Sequence, residues 1–470
     1  MTVEQIYTGC LAEAAYYIES NGEAAVIDPL RETTPYVVRA ANDGAKIKYV
    51  FLTHFHADFV SGHVDLARKT GATIVYGPGA KASFDFYSAK DNEIFNIGNV
   101  SLKLLHTPGH TMESSCYLFY DENDQEKYIF TGDTLFIGDV GRPDLAVKTH
   151  LTQQDLAGHL FDSLRNKIMG LDDDIIIYPA HGAGSACGKN MSEDTFDTIG
   201  HQKKINYALR KDMTRDEFID AILDGLAQPP QYFPKNVKMN QGVNKSYTDI
   251  LAKGVVAHEV ERFEKLMKEK ETVVLDTRHE QIFKDAFIPG SYNFNIDDNF
   301  APWVGALIEN LDSPILFIAD EGREEEVVTR LSRVGYDNTI GYLRGGIEAW
   351  IDAGYPTESM LSIAPEELKI KMDENHISIV DVRKPSEFDI EHIDQPGVVN
   401  LPLDYIYENV REYKPDKTYY VHCQGGYRSM IACSILKAHG IKNVIDINGG
   451  FNAIKLANVK TKQADPIPLS

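Results

Sequence analysis

In this 470-residue chain, Leu275-Asp276-Thr277-Arg278 returns as Val380-Asp381-Val382-Arg383, 105 residues further on. Other landmarks keep nearly that spacing. Pro289-Gly290 then Asn293 returns as Pro396-Gly397 then Asn400, Ile315–Ile318 as Tyr419–His422, and Gly345-Gly346 as Gly449-Gly450. The C-terminal half is therefore a tandem duplication. Each copy alternates strand, helix and strand over about 100 residues, the pattern of a parallel sheet with helices on both faces. At about 150 residues per domain the whole chain makes roughly three units. We place them at 1–250, 255–360 and 361–470.

The first unit reads as short apolar runs, Ala24–Ile27, Tyr49–Leu52, Thr73–Tyr76, Leu102–Leu105, Tyr128–Phe130 and Ile175–Tyr178, with helix-like polar stretches between some of them. This predicts a mixed α/β domain. Pro229, Pro230 and Pro234 disfavour helix between Leu226 and Gly242, so a boundary or a docked arm is expected there. With 43% hydrophobic and 25% charged residues, each unit can bury a core. The net charge of −23 repels polyanions, which excludes nucleic acid as a partner. No apolar stretch approaches the roughly 20 residues of a membrane span, and the first twenty residues carry no secretory or transit pattern, so a cytoplasmic location is expected. The five cysteines (Cys10, Cys116, Cys187, Cys423, Cys433) show no repeated short spacing, which argues against a disulfide framework or a thiolate zinc site.

Immediately after the run Tyr49–Leu52 comes Thr53-His54-Phe55-His56-Ala57-Asp58-Phe59, then Ser61-Gly62-His63. His110 follows in Gly109-His110-Thr111, Asp133 in Gly132-Asp133-Thr134 and His181 in Ala180-His181-Gly182, each again behind an apolar strand. Side chains from the carboxyl ends of several strands can converge on one ion. The ordered set resembles the metallo-β-lactamase superfamily over roughly residues 1–250, which implies an αββα sandwich with a metal at one edge. Members that hydrolyse with two zinc ions usually carry a histidine directly after the motif's aspartate. Here that position is Phe59, whose ring has no lone pair to donate. A mononuclear site is therefore favoured, with Asp58, His181 and water retaining a weak second ion as the alternative.

Two imidazoles and one carboxylate leave facial positions open, the arrangement in which ferrous iron binds a substrate together with dioxygen. The first domain resembles the persulfide dioxygenases of the superfamily. The resemblance implies one Fe(II) per chain on His54, His110 and Asp133, with zinc the alternative. His56, Asp58 and His181 would orient ligands and water around it, or bind a further ion. Arg142, in Gly141-Arg142-Pro143-Asp144, suits a carboxylate such as those of glutathione; the resemblance places a thiol-peptide site near it and Tyr178. A purely structural pair between Arg142 and Asp144 is the competing reading.

The last copy holds His422-Cys423-Gln424-Gly425-Gly426-Tyr427-Arg428-Ser429 ahead of the apolar helical run Met430–Leu436. A thiol leading such a loop, with backbone N–H groups, a helix N-terminus and Arg428 close by, is expected to have a lowered pKa and to meet anions. Cysteine phosphatases place five residues between Cys and Arg; here there are four, Gln424 to Tyr427. The segment resembles the rhodanese sulfurtransferase loop, over about residues 361–460, which implies a persulfide on Cys423. Asp320 aligns with Cys423 in the first copy and cannot carry sulfane sulfur, and Glu321, Glu324, Glu325 and Glu326 oppose an anion, so that copy reads as catalytically silent.

The order of these units resembles a persulfide dioxygenase–rhodanese fusion. The expectation is iron-dependent oxidation of a low-molecular-weight thiol persulfide, such as glutathione persulfide, by O₂ to sulfite and thiol, coupled to sulfur transfer with sulfite or thiosulfate in sulfide detoxification. The rivals are a glyoxalase II-like thioester hydrolase using zinc, and a non-enzymatic sulfur carrier. Monomer and homo-oligomer are both left open.

Overall fold

The computed structural model describes residues 1–147, 151–226, 228–374 and 377–463. It separates into two compact units, one of Met1–Ile250 with Thr329–Asp337, the other of Leu251–Val328 with Asn338–Ser470.

The first unit holds two six-stranded sheets. One contains, in order across the sheet, β1 (Thr2–Thr8), β2 (Glu13–Ser20), β3 (Glu23–Ile27), β4 (Lys46–Phe51), β5 (Thr73–Tyr76) and β6 (Tyr87–Ser88). The other contains β7 (Ile94–Ile97), β8 (Val100–His106), β9 (Ser115–Tyr120), β10 (Glu126–Gly132), β11 (Ile176–Pro179) and β12 (Asp197–Thr198), also in sequence order. The strand period of two explains the layering. Ala14, Tyr16 and Ile18 of β2 face the space between the sheets with Leu102, Leu104, Tyr117 and Phe119, while Ala15 and Tyr17 face outward with Tyr36 and Leu66 of the helices Thr34–Asn42 and His63–Thr70. On the far side, Leu118 and Ile129 pack under Ala157, Leu160 and Phe218 of the helices Gln153–Ser163 and Arg215–Leu223. The inner strands are thus covered on both faces, which is why β3 and β9 read as nearly continuous apolar runs while β1 and β7, nearer the edges, do not.

The six runs read from the sequence coincide with β3, β4, β5, β8, β10 and β11 to within a few residues. One expectation is overturned: Phe233–Asn240 is a helix, with Pro234 at its start. A proline in the first helical turn removes an N–H that had no partner there, so it starts the helix instead of breaking it.

The second unit contains two five-stranded parallel sheets. The strands β13 (Ala257–His258), β14 (Val273–Asp276), β15 (Tyr292–Asn293), β16 (Ile315–Ile318) and β17 (Thr339–Leu343) lie in the order β13-β17-β16-β14-β15. In the second copy β18 (Leu361–Ile363), β19 (Ser378–Asp381), β20 (Glu391–Ile393), β21 (Val398–Asn400), β22 (Tyr419–His422) and β23 (Val444–Ile447) follow, and the sheet order β18-β23-β22-β19-β21 repeats the first. β20 pairs instead with β24 (Thr461–Gln463). The repeated residues do repeated work. The Arg278 guanidinium grips buried Asp276 at 2.6 Å and Arg383 grips Asp381 at 2.6 Å, while the Asn293 and Asn400 side chains donate to the main-chain carbonyls of those same pairs.

Candidate metal centre and thiol loop

The loop after β4 is held from below by Asp28, which accepts from Thr53 N at 2.8 Å and from the Thr53 hydroxyl at 2.7 Å. That hydroxyl has spent its only proton, so its 2.9 Å contact with His54 Nδ1 is one it accepts, and the Nε2 lone pair of His54 is left facing inward. The same logic fixes the other rings. His110 Nδ1 donates to the Arg142 carbonyl at 2.8 Å and His181 Nδ1 to the Ala12 carbonyl at 3.1 Å. Their Nε2 atoms then point at Asp133, His110 at 3.4 Å from Oδ2 and His181 at 3.4 Å from Oδ1, with His54 Nε2 3.9 Å from Oδ2. Gly132 sets the turn that presents Asp133: its φ is +51°, and a Cβ there would sit 2.6 Å from the Thr53 side chain.

Neutral imidazole lone pairs facing a carboxylate repel it unless a cation lies between them. Both Asp133 oxygens, Asp58 Oδ1 and His181 Nε2 are buried without a hydrogen-bond partner, as a ligand cage requires. Burial, followed by the neighbouring His56 and His110, pushes His54 well below the usual histidine range and favours the neutral form that binds metal. His54, His110 and Asp133 offer ligand atoms within 4.8 Å of one another; so do His56, Asp58 and His181, and so do Asp133, His181 and Cys187.

The second set is compromised. Phe59 is fully buried and lies on the His56 ring, centroids 4.4 Å apart. His56 Nε2 is drawn to Asp28 Oδ1 at 3.0 Å. Burial opposes a charge on His56, yet Asp28 outweighs it and raises its pKa. Arg142 is committed to a bidentate pair with Asp144, 2.7 Å at both ends, and reaches the Ala186 carbonyl; its own carbonyl holds His110. Tyr178 is half-buried in an aromatic stack with Phe130, Tyr16 and Tyr128.

Several contributors were missed in the sequence. Asn240 donates to the carbonyls of His56 and Phe59 and accepts from Ser61 N, locking the histidine loop from 180 residues away. Glu13 is buried with neither oxygen hydrogen-bonded; burial, then Asp28 and Asp58, hold its carboxyl well above the usual range. Cys187 stands beside Asp133 and His181, its thiol pushed up by burial first, then by Asp58 and Asp133. None of these belongs to a short motif, so only the fold brings them in.

In the second unit, β22 ends at His422 and four residues, Cys423 to Gly426, precede the helix Tyr427–Ala438. Cys423 sits between them, 1% exposed, and its sulfur accepts from Gly426 N at 3.1 Å. Gly426 has φ +109°, which glycine alone adopts without strain. Gly450 must also stay bare, because a Cβ would lie 2.6 Å from the Cys423 carbonyl. Gln424 is held by Arg383 and Asn452, and Gly425 is exposed. Arg428 forms a bidentate pair with Glu387, 2.7 Å at each end. Burial alone would weaken the Arg428 charge, but Glu387 raises it, and in turn Arg428 lowers Glu387 against its own burial. Tyr427 opens the helix.

The first copy departs from expectation in register. Asp276 pairs with Ile318 just as Asp381 pairs with His422, so Ala319, not Asp320, occupies the place of Cys423. Five residues, Ala319 to Arg323, then precede the helix Glu324–Arg333 where the second copy uses four, and Arg323 is tied to Asp297 and Glu326.

Residues 8–181 match the metallo-beta-lactamase superfamily model, and residues 259–353 and 364–457 match the rhodanese-like domain. A probable hydroxyacylglutathione hydrolase, glo2, of Schizosaccharomyces pombe is 32% identical over 197 residues, 41% of this chain and 72% of that protein. The chain belongs to the metallo-beta-lactamase superfamily. A crystal structure of a metallo-beta-lactamase from Staphylococcus aureus subsp. aureus COL superposes with TM-score 0.64 and 30% identity over 73% of this chain and 98% of that one. ETHE1 from Myxococcus xanthus aligns at 26% identity over 51% of this chain and all of its own, TM-score 0.43. An N-terminal metallo-beta-lactamase fold is thus followed by two rhodanese-like domains with parallel sheets. Among the described residues no helix is long and apolar enough to cross a membrane.

Proposed function

We propose that this chain, organised as units 1–250, 255–360 and 361–470, is an iron-dependent persulfide dioxygenase fused to a sulfurtransferase. The observation that carries the reading is the fate of the second ligand set. Phe59 stacks on His56 where a donor would stand and His56 Nε2 lies 3.0 Å from Asp28, which disfavours His56, Asp58 and His181 as a second centre and supports His54, His110 and Asp133 as the iron ligands. Those residues would hold a ferrous ion, which when bound supplies the redox chemistry and the open positions for O₂ and a sulfur donor. The chain's own part is to keep three Nε2 lone pairs inward through Thr53 and the carbonyls of Arg142 and Ala12, and to keep the site dry. The substrate is a low-molecular-weight thiol persulfide, oxidised to sulfite with release of the thiol. Cys423 exchanges sulfane sulfur with an acceptor; with sulfite the product is thiosulfate, a route for clearing sulfide-derived sulfur.

A second reading, thioester hydrolysis with zinc, draws support from His56, Asp58 and His181 lying within 4.8 Å of one another and from the relative named a hydroxyacylglutathione hydrolase. The deciding experiment purifies the chain anaerobically, counts its metals, and compares oxygen uptake on glutathione persulfide with hydrolysis of a glutathione thioester. One iron per chain with oxygen uptake is expected. Two zinc ions with thioester turnover and no oxygen consumption would reverse the assignment.

A further inference from the structure

Behind the reactive thiol lies a carboxyl that the transfer reaction as described leaves unused. Asp446, on β23, is fully buried, and its two oxygens accept from two serines: Ser429 to Oδ1 at 2.7 Å and Ser362 to Oδ2 at 2.7 Å. Ser429 is also the residue that the Cys423 sulfur meets, 3.7 Å from its hydroxyl, and it lies 2.9 Å from the Gly426 carbonyl. Sulfur, hydroxyl and carboxyl therefore form a chain running from the loop into the core. A hydroxyl has one proton to give. With Asp446 ionised, the carboxylate takes that proton, and Ser429 presents only lone pairs to the sulfur. With Asp446 protonated, the acid donates to Ser429, and the hydroxyl proton so released is shared between the Gly426 carbonyl at 2.9 Å and the sulfur at 3.7 Å.

We propose that Asp446 is a positioning residue for sulfur transfer at Cys423, its carboxyl deciding through Ser429 whether the sulfur receives a hydrogen bond. The proposal rests on the sulfurtransferase reading. In the step concerned, an anionic nucleophile such as sulfite forms a bond to the terminal sulfur of the Cys423 persulfide as the bond to Cys423 Sγ breaks. The electron pair of the broken bond stays on Sγ, and sulfite leaves as thiosulfate. A donor at Sγ stabilises that departing thiolate, as the Gly426 N–H already does.

The surroundings of Asp446 place its titration within reach of experiment. Among the described residues no Lys, Arg or His pairs with it. The titratable groups acting around it are Glu280, from the first copy, and the thiols of Cys433 and Cys423, while His422 on the adjacent β22 faces Asp381. Burial, against the pull of the two serines, raises its carboxyl to about 6.

The test follows the full chain from pH 4.5 to 8.5 by two readouts: alkylation of the Cys423 peptide by iodoacetamide, counted by mass spectrometry, and sulfur transfer from thiosulfate to cyanide. Wild type should show a step near pH 6 in both. Asp446→Asn and Ser429→Ala should each lose the step. Ser362→Ala removes a donor from the far oxygen without touching the thiol, so it should move the step to higher pH; it serves even if the other two variants fold poorly. A step unchanged in Asp446→Asn or in Ser362→Ala would overturn the proposal. A step in alkylation with no sulfur transfer at any pH would refute the sulfurtransferase reading while upholding the control of Cys423 by Asp446.

Discussion

At the scale of single residues, the proposed mononuclear centre turns on Phe59. Its ring is fully buried against His56, so the substitution Phe59→His exchanges apolar packing for an imidazole that needs a partner. A second ion supplies that partner. Metal analysis of Phe59→His is expected to rise from one to two ions per chain when zinc is present. Thioester hydrolysis should increase at least about tenfold, a gain of roughly 1.4 kcal/mol in transition-state binding, while persulfide-dependent oxygen uptake falls. Unchanged stoichiometry would show that Phe59 is packing alone. Asp446 offers a residue-scale prediction of stability. Its folded carboxyl titrates at about 6, above its ordinary 3.8, so the unfolded chain loses its proton first. Stability from this group is complete below the unfolded value and is lost as pH rises through about 6, a change of roughly 3 kcal/mol. Urea unfolding followed by far-UV circular dichroism at pH 4.5 and 6.5 should show wild type losing more than Asp446→Asn over that interval.

At the scale of elements, the duplication was legible because it is written in residues that perform the same task twice. Asp276 with Arg278, Asp381 with Arg383, and the asparagines that tie them are all close in sequence to a strand end, where periodicity and motif coincide. The candidate metal ligands stand out in the sequence for a related reason: each follows an apolar strand. What was illegible depends on pairing across long separations. Asn240 and Glu13 reach the site only after the sheets close, and Pro234 reads as a helix breaker until its place in a first turn is known. The alignment of Asp320 with Cys423 slipped by one inside the loop, which gains a residue in the first copy, although the strand match of Ile315–Ile318 with Tyr419–His422 already sets Ala319 opposite Cys423. That slip leads to a test. Ala319→Cys restores a thiol at the equivalent place, but the longer loop and the ties of Arg323 to Asp297 and Glu326 remain. In a Cys423→Ser background, Ala319→Cys is expected to give no thiosulfate-to-cyanide transfer above the Cys423→Ser level.

At the scale of the whole molecule, charge sets a condition on both proposed reactions. The chain carries 47 basic and 70 acidic residues, and every substrate proposed for it, persulfide, sulfite or thiosulfate, is an anion. An acidic surface lowers the local concentration of anions unless a site is screened from it. At 10 mM salt the Debye length is about 30 Å, so much of the molecule's charge acts on an approaching ion; at 150 mM it is about 8 Å and only near neighbours count. Raising ionic strength over that range should therefore increase kcat/KM for sulfite at Cys423 several-fold, with kcat little changed, because encounter is affected and chemistry is not. Uncharged acceptors provide the control. A thiol nucleophile assayed below its pKa should show no such dependence, and a fall in kcat/KM for sulfite with salt would mean that local cations around the loop, Arg428 and Arg383 among them, outweigh the net charge despite their pairing with Glu387 and Asp381.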